Sequence, residues 1–112
     1  MWVVLFAAEF DAWFETLTAG EQDALLVSLS ILRDVGPTLA RPHVDSVKGS
    51  KHSNMKELRT QYRGQPLRTF FAFDPARAAI ILIGGNKRGD KRFYNKMIPV
   101  ADAIFDRHLR NE

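Results

Sequence analysis

Gln65-Pro66-Leu67-Arg68-Thr69-Phe70-Phe71-Ala72-Phe73-Asp74-Pro75-Ala76-Arg77-Ala78-Ala79-Ile80-Ile81-Leu82-Ile83 is the stretch that decides the fold class. Leu67, Thr69, Phe71 and Phe73 alternate with Arg68, Phe70 and Ala72, the period of two that gives a strand distinct faces. Asp74-Pro75-Ala76-Arg77 has the residues of a tight turn, so Ala78 to Ile83 returns as a hairpin partner. Ile80 to Ile83 is apolar without a break, which predicts a central strand covered on both sides.

Working upstream, Met55 to Thr60 reads as another strand, joined to the first by a turn around Tyr62-Arg63-Gly64-Gln65. Thr38 to Asn54 is polar and irregular, with Pro42 and Gly49, and is expected to be a loop. Before it, Trp2 to Phe6 predicts a short strand, and Phe6, Phe10, Trp13, Phe14 and Leu17 recur at helical spacing. Thr18-Ala19-Gly20-Glu21 has the form of a capping box opening a second helix. That helix turns Leu25, Leu29, Leu32 and Val35 inward and stops at Gly36-Pro37. Downstream, Gly84-Gly85-Asn86 is expected to end the central strand, and a basic loop follows. Pro99 is placed to open a final helix with Val100, Ala101, Ile104, Phe105 and Leu109 inward. No repeat or linker divides the chain, so residues 1–112 form one α+β domain of order β-α-α-β-β-β-α. A helical hairpin and a C-terminal helix are expected to pack on a mainly antiparallel sheet.

The 112 residues contain no cysteine, which rules out disulfides, thiolate metal sites and thiol nucleophiles. That composition suits a reducing compartment, and no run of 18 apolar residues could span a membrane, so the expected location is the cytoplasm. Met1 to Ala8 lacks a basic flank and runs into Glu9 and Asp11, so it reads as a strand entering a helix and not as a signal segment. Charge is segregated. Residues 1–47 hold two basic side chains against seven acidic ones, whereas residues 48–96 hold twelve Lys or Arg against three acids. Such asymmetry points to a polyanionic partner, RNA in particular.

Several chemistries are absent. Acids are too sparse in the basic half for a two-carboxylate hydrolase or a carboxylate-held magnesium. The three histidines, His43, His52 and His108, form no metal motif and are expected at the surface. Gly84-Gly85 with Lys87 lacks the spacing of a phosphate loop. No cofactor or metal is called for.

What remains is a basic set on strands and their ends: Lys56 and Arg59 on one strand, Arg68 on the next, then Lys87, Arg88, Lys91 and Arg92 ahead of Phe93-Tyr94. Antiparallel pairing is expected to gather them on one sheet face. Guanidinium and ammonium groups clamp phosphates and spread the charge of a pentavalent transition state. Cations around Tyr94 are expected to draw its pKa below the usual ~10, fitting it for proton transfer. Such a site needs no metal to cut RNA, because RNA carries its own nucleophile, the 2′-OH. Taken singly, Arg68, Lys91, Arg92 and Tyr94 have plainer readings as solvated or packing residues; their conjunction carries the chemistry.

Met55-Lys56-Glu57-Leu58-Arg59, Gly64 to Pro75, Ile83-Gly84-Gly85-Asn86-Lys87 and Arg92-Phe93-Tyr94 together resemble the RelE/ParE superfamily of bacterial toxins, in its HigB-like, phage-Gp49-like branch. The resemblance spans nearly the whole chain and is densest from Met55 to Asp102. It implies the toxin of a type II toxin–antitoxin pair that cleaves mRNA on the ribosome without a metal. It also implies a cognate antitoxin, typically a helix-turn-helix protein encoded next door. Arg68, Lys87, Arg88 and Tyr94 would then be catalytic, and Lys56, Arg59, Lys91 and Arg92 would bind RNA. The family's usual aromatic before Glu-Leu-Arg is replaced by Lys56, and Asn86 stands where an acid often precedes the lysine. ParE-type members poison DNA gyrase on the same scaffold, and a non-catalytic RNA-binding module is the third alternative.

Overall fold

The computed structural model describes residues 1–111 and has the order β1 (Val3–Phe6), α1 (Ala8–Glu15), α2 (Ala19–Val35), β2 (Val44–Ser46), β3 (Lys56–Tyr62), β4 (Gln65–Phe73), β5 (Ala78–Asn86) and α3 (Phe93–Arg110). The α+β class is as expected. The five strands form one sheet in the order β1-β5-β4-β3-β2, antiparallel except where β1 runs parallel to β5. The long polar loop is not wholly irregular, since its residues 44–46 pair with Lys56 to Leu58 as β2.

Local chemistry explains most boundaries. Arg63 and Gly64 both take positive φ, which makes the two-residue turn between β3 and β4 follow the twist of the strands. Asp74 closes the β4–β5 turn, its carboxylate accepting from the Ala78 N–H at 3.0 Å. Thr18 and Glu21 form the capping box of α2 in both directions. Gly36, at φ +77°, ends that helix, and the Trp2 indole lies where a β-carbon would stand.

The sheet is covered on both faces. Phe10, Leu25, Leu29 and Leu32 of the hairpin pack on Leu58, Phe71, Ala79 and Ile81. On the other face, Phe93, Ile98, Ala101, Ile104 and Phe105 of α3 pack on Phe70, Ala72, Ile80 and Leu82. A bulge where Phe70 pairs with Ile83 and Phe71 with Ile81 lets the consecutive Leu82 and Ile83 both pack on the α3 side, while Ile81 faces the hairpin.

Four expectations are corrected. Helix α3 begins at Phe93, six residues before Pro99, because Phe93, Met97, Ile98 and Ala101 already form its buried stripe. Val100 and Val35 point outward, being 42% and 43% exposed. Gly84 and Gly85 do not end β5 but lie within it, where the Trp13 ring packs on one and the Phe93 ring on the other. His52 and His108 are partly buried, and their rings meet Asp106 and Asp74 at 2.7 and 2.8 Å.

Candidate functional site

The β3–β4 ladder sets Arg59 directly opposite Arg68. Like charges in that relation repel, and the fold answers with a carboxylate. Glu57 is two residues before Arg59 on the same strand, so it shares its face, and it is 4% exposed. Its Oε2 lies 3.4 Å from an Arg59 amine and its Oε1 lies 3.8 Å from Arg68 Nε. Asp45, on neighbouring β2, also meets Arg59, at 3.2 Å.

Tyr94 comes to this carboxylate from the first turn of α3. Its hydroxyl donates to Glu57 Oε1 at 2.7 Å, and its ring packs edge-on against Phe70 and Phe93. The other side of the ring opens on a cleft of about 500 Å³ shared with Lys48, Lys51, Ile98 and Pro99. Lys87 lies over the same ring, its ammonium 5.8 Å from the centroid.

The electrostatics overturn the expected acidic tyrosine. Burial holds the Tyr94 hydroxyl above its ordinary pKa, and the hydrogen bond to Glu57 and the Glu57 charge add to that rise. Arg68 opposes it without prevailing. At neutral pH Tyr94 is therefore a protonated phenol.

Arg68 is buried, and its guanidinium is shared between the Tyr94 hydroxyl, Glu57 and its own strand. One amine donates to the Leu67 carbonyl at 3.1 Å, while Nε is buried without a hydrogen-bond partner, as is Arg59 Nε. Both nitrogens are enclosed by protein, and Arg68 Nε has Glu57 Oε1 3.8 Å away. A phosphate oxygen is the acceptor that a guanidinium fork fits best.

The basic loop lies at the same end of the sheet. Gly85 pairs with Arg68, the Lys87 amide donates to the Pro66 carbonyl at 3.1 Å, and Asn86 donates to Gln65 at 2.7 Å. Arg88, Lys91 and Arg92 follow, all exposed, and Asp90 folds the turn by accepting from the Arg92 amide. Lys96 holds the Asp90 carboxyl below the usual aspartate range. Of the residues singled out in sequence, the structure brings together Arg59, Arg68, Lys87 and Tyr94, with the exposed cations of the loop beside them. Lys56 it sets apart. The strand period puts Lys56 on the side of Leu58 and Thr60, where it lines a groove with Pro37 and Arg41.

Glu57 was missed by sequence reasoning. Two residues before Arg59 on a strand, it had to share the arginine's face, and that period was the available signal.

The chain is similar to several known proteins. The family described as "Phage derived protein Gp49-like (DUF891)" matches residues 12–106. A Mycobacterium tuberculosis protein bearing the toxin name HigB3 is 42% identical over 110 residues, covering 97% of this chain and 95% of that protein. Another from the same organism, bearing the toxin name HigB2, is 43% identical over 100 residues; the match takes in 88% of this chain but only 50% of that protein. Among solved structures, a mutant of the E. coli toxin RelE in the free state superposes with a TM-score of 0.59, over 88% of this chain and 97% of that one. At 9% identity that likeness concerns the fold. No helix among the described residues is long and apolar enough to cross a membrane.

Proposed function

Because the chain belongs to the Gp49-like family, we propose that it is the toxin of a type II toxin–antitoxin pair, an endoribonuclease that cuts mRNA in the ribosome. The observation that carries this reading is the buried Arg68, with an unpartnered Nε, beside Glu57 and Tyr94 at the end of the sheet that bears the basic loop. Arg68, with Lys87 and Arg88, takes the scissile phosphate and the charge that grows on it. Tyr94 handles a proton at the ribose. Arg59, Lys91 and Arg92 hold the flanking backbone. The 2′-OH of the RNA is the nucleophile, so the cations need only position and stabilise. Lys56, on the other side of β3, is left for more distant backbone or for protein contacts.

A cognate antitoxin, of the helix-turn-helix kind and encoded in an adjacent gene, would neutralise the protein by laying an acidic segment over this basic end. The location that fits is the cytoplasm, where ribosomes are.

Inducing the untagged protein in a bacterium, with 5′ ends of total mRNA mapped within minutes, tests the reading. Cuts within translated reading frames that disappear on Arg68→Ala are expected. Intact mRNA with growth arrest and double-strand DNA breaks would instead assign a gyrase poison. Intact mRNA with normal growth would leave a binding module.

A further inference from the structure

Building on the ribonuclease reading, we infer that Glu57 is the final acceptor of the nucleophile's proton, which reaches it through the Tyr94 phenol. The direction of one hydrogen bond carries this. Tyr94 Oη donates to Glu57 Oε1 at 2.7 Å, so its hydrogen points into the protein and its lone pairs face away from the carboxylate. A ribose hydroxyl brought to the outer side of that oxygen by a phosphate on the neighbouring cations would thus meet an acceptor.

Tyr94 cannot be the base alone. Burial and the neighbouring carboxylate keep it protonated, so a standing phenolate is disfavoured. Glu57 cannot be the base alone either, since it is 4% exposed and lies beneath the tyrosine. Together they complete a path. The 2′-OH proton passes to Tyr94 Oη as the tyrosine's own proton passes to Glu57 Oε1. The 2′-oxygen forms its bond to phosphorus, and the bond from phosphorus to the 5′-oxygen breaks. The departing oxygen takes a proton from the Lys87 ammonium, and the products are a 2′,3′-cyclic phosphate and a 5′-hydroxyl. Afterwards Glu57 returns its proton through the same hydrogen bond, and solvent restores Lys87.

The groups around the pair favour this order. Arg59 from β3, with Asp45 of β2 on it, and Arg68 from β4 face Glu57; Arg68 also reaches the Tyr94 hydroxyl, and Lys87 faces the Tyr94 ring. The same cations would hold the scissile phosphate beside the pair, which sets the 2′-OH next to Tyr94.

The decisive experiment is single-turnover cleavage of mRNA on programmed ribosomes by purified protein, with half-saturating concentration measured separately. Glu57→Gln keeps an oxygen to accept from Tyr94 but does not take up a proton. Its rate constant is expected to fall about 10²- to 10⁴-fold, as for loss of general-base catalysis, with half-saturation little changed. Glu57→Asp should recover part of the loss, and Glu57→Gln combined with Tyr94→Phe should be no slower than the slower single variant. Should Glu57→Gln not fold, Tyr94→Phe reads the same path from its outer end. A rate within a few-fold of wild type in the folded variant would overturn the relay alone. A wild-type protein that leaves mRNA intact would overturn the ribonuclease reading, and the relay with it.

Discussion

The buried carboxylates of Asp102, on α3, and of Glu57, on β3, are used differently. Asp102, 7% exposed, accepts the Ser50 hydroxyl at 2.5 Å and the Lys51 amide at 3.1 Å. Neutral donors close at hand satisfy it, and the result is mechanical, since the loop before β3 is pinned to the middle of α3. Glu57 faces side chains of three elements, two of them arginines at 3.4 and 3.8 Å, with nitrogens left over. A buried charge with close, complete bonding fixes the chain, whereas one set loosely among surplus cations can exchange partners with a ligand. That difference separates a structural acid from a working one without reference to any relative.

The contrast can be broken most forcefully at Arg68. Arg68→Lys keeps the charge but loses the planar fork, so cleavage should drop about 100-fold, roughly 2.7 kcal/mol at the transition state. Its melting temperature should stay near that of wild type; a protein that instead unfolds while its folded fraction cuts normally would place Arg68 with Asp102 as scaffold. Next comes Asp102→Ala, which strands the Ser50 hydroxyl and the Lys51 amide. Thermal or urea unfolding should register a loss of about 2 kcal/mol, and the cleavage rate of folded protein should suffer less than in Arg68→Lys.

The smallest effect is expected one turn further along α3. Asp106 is hydrogen-bonded first by Lys51 and then by His52, and these hold its carboxyl below the ordinary aspartate range. A carboxyl depressed in the folded state stabilises above its unfolded pKa, and that contribution fades as pH falls through the folded value. Asp106→Asn should therefore lower the melting temperature slightly at pH 7, and the gap from wild type should close on acidification. A gap that widens in acid would mean that the loop is held by something other than these charges.

Much of this was legible in the chain. Period-2 alternation from Leu67 to Phe73, the Arg63-Gly64 turn and the Thr18–Glu21 box are local signals with single structural meanings, and each stands as written. The start of α3 was hidden because Pro99 is a common first helical residue, whereas the apolar stripe from Phe93 had already begun the helix. This moves Tyr94 from the end of the basic loop onto a helix turn above the sheet. Lys56 was grouped with Arg59 by nearness in sequence, although an odd spacing on a strand sends two side chains to opposite faces. The Tyr94 pKa was misjudged by counting cations in sequence. Its nearest charge is an anion supplied 37 residues away by the ladder, and only the fold makes that pair.

The segregation of charge has a kinetic meaning. Helices α1 and α2 carry six acids and one arginine, while the strands and loop opposite carry the cations. A molecule so divided behaves as a compass needle near a polyanionic surface. Its acidic hairpin is pushed outward and its basic end is turned inward before any contact forms, so fewer encounters are wasted on the wrong face. This bias acts over roughly a Debye length, about 8 Å at physiological salt, and belongs to arrival alone. In the proposed reaction, the rate of cutting would then pass from the long-range field to the few ångströms between Arg68, Glu57 and Tyr94.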